Sequence, residues 1–128
     1  MKHLFTTLLA MLGLCSACQS QDIPTLEPQA YEEALHTDTA AVLIDVRQPD
    51  EYAEGHLRGA QLLNVLETAT FQAGIAALDK SKHYYIYCRS GRRSHNAATQ
   101  MKAIGLQVTD LKGGITAWQS AGKPIVKE

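Results

Sequence analysis

Apolar and β-branched residues fall into short, nearly unbroken runs separated by amphipathic stretches. Val42-Leu43-Ile44-Asp45-Val46 is one run, and its length and branching predict a buried strand. Ala60 to Val65, the aromatic Tyr84-Tyr85-Ile86-Tyr87 and Val108 to Leu111 predict three more. Gln29 to Leu35 suits a short helix opened by Glu27-Pro28. Gln48 to Ala53 predicts a polar turn and a short helix stopped by Gly55. Thr68 to Leu78 carries Phe71, Ile75 and Leu78 at helical spacing. Ser94 to Ile104 reads as a helix ended by Gly105, and Ile115 to Ser120 as a last one after the break at Gly113-Gly114. Strands that are continuously apolar and separated by helices predict an α/β domain. Its mostly parallel central sheet would carry helices on both faces. Ligands gather at the carboxyl ends of such strands, so chemistry is expected in the turn after Tyr87.

The pattern changes at the N-terminus. Lys2 is followed by an apolar stretch from Leu4 to Leu14, then by the small residues Ser16 and Ala17. Eleven residues are too few to span a bilayer but suit the core of a secretory leader, so residues 1–17 are expected to be one. Ser16-Ala17-Cys18 is similar to the end of a bacterial lipobox, with Cys15 standing where that pattern has an aliphatic residue. Two processing modes stay open, cleavage after Ala17 alone or cleavage with lipidation of Cys18. Several acyl chains on one residue would make a stable membrane anchor. Either mode sends the protein to the periplasm or cell envelope. Residues 18–28, polar with Pro24 and Pro28, read as a linker, and 29–128 as the domain.

Composition narrows the classes further. A chain of 128 residues and 14.0 kDa fits one domain. Twelve Lys+Arg against 13 Asp+Glu leave a net charge of −1, unlike a general nucleic-acid binder. Three cysteines are too few for a disulfide scaffold. Cys15 would leave with the leader. With Cys18 acylated, Cys88 would be the one remaining thiol, without a structural disulfide partner. No His/Cys cluster has metal-ligand spacing, so no metal is expected. Nothing signals self-association, and a monomer is expected.

The turn after Tyr87 is Cys88-Arg89-Ser90-Gly91-Arg92-Arg93-Ser94. A cysteine there sits between a strand end and a helix start, where backbone N–H groups and the helix dipole favour negative charge. Arg89, Arg92 and Arg93 add cations. Gly91 permits a tight backbone beside a ligand, and Ser94 suits the cap of the following helix. These features favour thiolate over thiol and make Cys88 a nucleophile for an anionic substrate. Cysteine phosphatases place five residues between Cys and Arg so that the amides enclose a phosphate. Here the residue six beyond Cys88 is Ser94, and Arg93 comes one step early. The smaller cup suits attack on sulfur better than phosphatase or arsenate-reductase-like chemistry.

The chain resembles the single-domain rhodaneses, a sulfurtransferase family, over about residues 25–125. Ile44-Asp45-Val46-Arg47, Glu51-Tyr52 and Gly55-His56-Leu57-Arg58-Gly59-Ala60 match its first signature. Cys88 to Arg93 match its six-residue active-site loop, and Leu111-Lys112-Gly113-Gly114-Ile115 with Trp118 its closing segment. The resemblance implies a rhodanese-like fold and a reaction in which Cys88 takes sulfane sulfur from thiosulfate or a similar donor. Cyanide, a thiol or a thioredoxin-like protein would accept it, and no metal or organic cofactor would be required. A persulfide or polysulfide carrier with little thiosulfate turnover is the alternative. It further implies that Arg89, Ser90, Gly91, Arg92 and Arg93 hold the substrate. Asp45, Arg47, His56 and Ser94 would support the loop, with Glu51 and Arg58 joining Asp45 and Arg47 in an ion-pair network. Trp118 and Tyr84, Tyr85 and Tyr87 read as packing.

Overall fold

The computed structural model describes residues 22–128. The expected leader, residues 1–17, and Cys18, the candidate for lipidation, lie outside the described residues. Ten elements alternate along the chain. They are β1 (Thr25–Leu26), α1 (Pro28–Thr37), β2 (Ala41–Asp45), α2 (Pro49–Glu54), β3 (Gln61–Leu62), α3 (Thr68–Ala76), β4 (His83–Tyr87), α4 (Arg92–Ala103), β5 (Gln107–Leu111) and α5 (Gly114–Ser120). The five strands form one sheet in the order β1-β5-β4-β2-β3, and every pairing is parallel. β4 lies at the centre, in register with β2 from Ala41↔His83 to Asp45↔Tyr87.

The strand period of two sorts the core into two layers. Ile44, Tyr84, Ile86, Cys88 and Val108 face Phe71 and Ile75 of α3 and Ala97, Ala98 and Met101 of α4. Leu43, Tyr85, Tyr87 and Leu111 face Tyr31 of α1 and Ile115 and Trp118 of α5. Tyr31 is fully buried and donates its hydroxyl to the Ile86 carbonyl at 2.9 Å. Its ring meets Tyr85 and Trp118 edge-on at 5.7 and 6.3 Å, a favoured aromatic geometry. Both faces of the sheet are therefore covered, as the apolar strand runs require.

Two segments differ from the sequence expectation. Residues 25 and 26, read as linker, form edge strand β1, and their ladder pairs Thr25 with Asp110 and Leu26 with Leu111. Two residues carry no periodicity, and the pairing is set by β5. The strand expected over 60–65 shortens to Gln61–Leu62. Ala60 N–H closes a turn on Leu57 O, while Leu63 and Val65 donate to Asp45 O and Val46 O, so the chain follows β2 without completing a ladder.

Candidate active site

Cys88 follows directly on β4, at the carboxyl edge of the sheet, and α4 begins at Arg92. Its side chain is 1% exposed. The Gly91 N–H donates to Sγ at 3.0 Å, so the loop curls its backbone back onto the sulfur. The curl needs Gly91 at φ 115°, in the left-handed region where side chains are strained. The far side of the loop is held by α5. Ile115 N–H donates to Cys88 O at 2.9 Å and Thr116 N–H to Arg89 O at 3.1 Å. That approach explains Gly114. A Cβ there would stand 2.4 Å from Arg89 O and 2.6 Å from Cys88 O.

The three loop arginines separate. Arg93 forks onto Glu51, with Nη1–Oε1 at 2.7 Å and Nη2–Oε2 at 2.9 Å. This bidentate pair closes the six-residue loop against α2. Arg93 hydrogen bonds pull the Glu51 carboxyl down to about 2, against the opposing effect of burial. Glu51 Oε1 also accepts the Gln48 N–H at 3.0 Å, so one carboxylate caps α2 and pins the loop. Arg93, expected on the substrate, instead spends its guanidinium on a brace, while still within electrostatic reach of Cys88. Arg89, Ser90 and Arg92 are exposed. Arg89 lines a cleft of about 270 Å³ together with Arg47, Gly55, Ile115, Thr116 and Gln119.

The supporting residues sit where β2 ends. Asp45 is fully buried and takes Arg47 Nε at 2.9 Å and Nη2 at 2.7 Å. The same Nη2 donates to Gly55 O at 2.7 Å. Tyr87 hydroxyl donates to Asp45 Oδ2 at 2.8 Å and accepts the Leu57 N–H at 3.0 Å. Burial, with Asp45 adding to it, holds the Tyr87 phenol far above its ordinary value and keeps it a donor. Tyr87, read from sequence as packing, thus ties the strand before Cys88 to the Gly55–Ala60 turn. His56 is buried, stacks on Tyr52 at 3.7 Å and brings Nδ1 to Tyr52 O at 2.9 Å, a structural brace.

Two expectations need correction. Arg58 joins no buried network. It pairs with Glu128 at 3.1 Å on the surface, where both side chains are at least 70% exposed. The remaining charges form two separate pairs, Asp45–Arg47 and Glu51–Arg93. Ser94 does not cap α4, because Gly91 occupies the N-cap. The helix starts at Arg92, two residues earlier than expected, since the left-handed Gly91 turns the chain directly into it. Ser94 is buried, and its Oγ donates to Gly91 O at 3.3 Å. Asp110 received no role from sequence. A carboxyl inside the buried strand Val108 to Leu111 was the available signal.

Among the described residues no group of three His, Cys, Asp or Glu is placed to hold a metal. No helix of the described residues is long and apolar enough to cross a membrane. The arrangement can hold a negatively charged sulfur at Cys88 with a backbone donor and nearby cations.

A family model described as a rhodanese-like domain matches residues 27–121. The chain is 33% identical over 109 residues to the putative sulfurtransferase YtwF of Bacillus subtilis, covering 80% of this chain and 97% of that protein. It is 32% identical over 94 residues to the thiosulfate sulfurtransferase GlpE of Pseudomonas fluorescens, covering 73% and 83%. Other curated relatives are longer, and the chain spans 60% and 28% of two of them. The crystal structure of a rhodanese-related protein from Thermoplasma volcanium superposes with a TM-score of 0.73 at 27% identity, covering 82% of this chain and 99% of that one.

Proposed function

From the premise that this chain belongs to the rhodanese-like domain family, we propose that it transfers sulfane sulfur from thiosulfate through a persulfide on Cys88. The Cys88 thiolate attacks the outer sulfur of thiosulfate. The S–S bond breaks, sulfite leaves with its electron pair, and the transferred sulfur stays on Cys88 as a persulfide anion. A thiolate acceptor, or cyanide in an assay, then attacks that outer sulfur and Cys88 departs as thiolate. Charge balances in both halves, and no external oxidant or reductant is needed.

The observation that carries this reading is the Gly91 N–H on Cys88 Sγ at 3.0 Å, inside a loop closed by Glu51 and Arg93. A preorganised amide costs no reorganisation as charge moves onto the outer sulfur. Arg89 and Arg92, exposed on the loop, are free to draw in a dianion, and such steering weakens as salt screens it. Arg93 acts through the loop rather than on the substrate. The relative named as a thiosulfate sulfurtransferase supports the choice of donor. The test is thiocyanate formation from thiosulfate and cyanide by wild type and Cys88→Ser. Activity in the wild type and none in the variant is expected, and equal activity in both would sink the proposal. A folded, reduced wild type that turns over no thiosulfate, yet carries an extra sulfur on Cys88 after exposure to polysulfide, would be the carrier instead.

We further propose export to the cell envelope with a lipid on Cys18. Fatty-acid labelling of the full chain that persists in Cys18→Ser would contradict it.

A further inference from the structure

The cleft beside the Cys88 loop is lined by polar groups that the fold leaves uncommitted. Its most buried charged member is Arg47, whose side chain is 6% exposed. Nε of Arg47 donates to Asp45, and Nη2 to Asp45 and Gly55 O. Nη1 has no such partner among the described residues, yet every buried side-chain nitrogen and oxygen among them has one. Nη1 therefore reaches open space, and the open space that Arg47 lines is this cleft. A guanidinium nitrogen carries two N–H groups, so the cleft holds two unfilled donors on an otherwise buried side chain.

Two exposed charges share the cleft, Arg89 from the loop and Glu54 from the end of α2. Neither forms an ion pair with the other or with any described residue. Asp45 balances the charge of Arg47, so Arg47 offers hydrogen bonds and Arg89 the attraction for an anion. Thr116 and Gln119 lie one turn apart on α5 and add an exposed hydroxyl and amide. The volume of about 270 Å³ lies below the range of drug-sized sites, on the order of 300–1,000 Å³, and suits a small molecule. The cleft also adjoins the sulfur's own backbone. Arg89 directly follows Cys88, and Ile115, another lining residue, donates its N–H to Cys88 O at 2.9 Å.

Given Cys88 as the sulfur carrier proposed above, we infer that this cleft seats the sulfur acceptor, a small thiol bearing both a carboxylate and an ammonium. The carboxylate meets Arg47 Nη1 and Arg89, the ammonium meets Glu54, and the thiol reaches past Arg89 to Cys88. The acceptor thiolate attacks the outer sulfur of the persulfide. A new S–S bond forms, the bond to Cys88 breaks, and Cys88 leaves as thiolate with the electron pair. The acceptor departs as a persulfide, and no oxidant or reductant is consumed. The cleft contributes alignment of the thiol rather than a reacting group.

Cys88 is loaded with sulfur from polysulfide, and its removal by three thiols is timed by intact mass. Mercaptoethanol carries no charged group, mercaptopropionate a carboxylate, and cysteine both charges. Rates are compared as ratios between thiols within each variant, so a general change at Cys88 cancels. Arg89→Gln should lower the ratio of mercaptopropionate to mercaptoethanol about fivefold, the worth of one partly exposed charged contact. Gln119→Glu, on an exposed position of α5, should lower it as well by repelling the carboxylate. Glu54→Gln should lower the ratio of cysteine to mercaptopropionate about threefold. Arg58→Gln removes an equal charge outside the cleft and should leave both ratios at their wild-type values. Unchanged ratios in the cleft variants, or an Arg58→Gln effect as large as that of Arg89→Gln, would overturn the inference. A second measurement needs no persulfide. S-methylcysteine, an unreactive thioether with both charges, is titrated into the reduced wild type and followed by amide NMR. Shifts at Arg89, Thr116 and Gln119 are expected, and their absence would overturn the inference. A protein that takes up no sulfur would fail the proposed reaction, and this titration would still decide the cleft.

Discussion

Two helix N-termini meet at one loop and use their amides for opposite ends. At the start of α4, the Gly91 N–H points at the Cys88 sulfur. At the start of α5, the N–H groups of Ile115 and Thr116 point at the carbonyls of Cys88 and Arg89. Both starts use a glycine with positive φ, Gly91 at 115° and Gly114 at 62°. The free amides of a helix start attract whatever acceptor is nearest. For α4 that acceptor is the buried thiol proposed to carry the sulfur, and for α5 it is backbone already committed to the fold. One helix start faces the sulfur, and the other fixes the loop that presents it.

Substituting the two glycines breaks the comparison most sharply. Gly114→Ala should have the largest effect, since the new methyl carbon meets backbone carbonyl oxygen at 2.4 Å, with strained φ besides. A loss of at least about 3 kcal/mol is expected in denaturant unfolding, with activity falling alongside. Gly91→Ala meets only Gly113 N, at 3.9 Å, so its cost is the backbone strain of about 1–2 kcal/mol. Its activity should nevertheless fall further than its stability does, because the amide on the sulfur moves. Equal stability losses at the two sites would contradict the assignment of α5 as the brace.

Glu51→Gln offers the smallest and most selective change. The native carboxyl lies at about 2, below the unfolded value of 4.5, so the unfolded chain binds more protons as pH falls. The stabilisation from the Arg93 pair is therefore full above pH 4.5 and lost as pH falls toward 2. Partial exposure and solvent screening limit it to about 1 kcal/mol. Chemical unfolding of Glu51→Gln should show that deficit at pH 7, shrinking as pH falls through this window. A deficit that grows at low pH would mean the pair does not hold the loop.

Much of the architecture is legible in the sequence because it rests on burial. The runs at Val42–Val46, Tyr84–Tyr87 and Val108–Leu111 are apolar since both faces of the sheet are covered, and each appears as a strand within a residue or two. Cys88 was legible through its neighbours, with glycine and cations beside a helix start. What escaped depends on contacts between distant segments. β1 exists only because β5 offers it an edge. Arg93 looks like a substrate ligand until α2 brings Glu51 against it, 42 positions away in sequence. Ser94 obeys the rule for a capping serine, yet the positive φ of Gly91 moves the cap and turns the hydroxyl onto the Gly91 carbonyl. Tyr87 looks like core in a strand of tyrosines, and its polar task appears only once Asp45 lies beside it in register.

The central claim is that the loop at the end of β4 makes Cys88 the acceptor of a sulfur atom. The most direct test is intact-mass and peptide mass spectrometry of the reduced domain after brief incubation with thiosulfate and no acceptor. One added sulfur atom on Cys88, removed by cyanide or a thiol and absent in Cys88→Ser, is the expected result. A folded protein that stays unmodified with both thiosulfate and polysulfide, or carries the sulfur elsewhere, would contradict it.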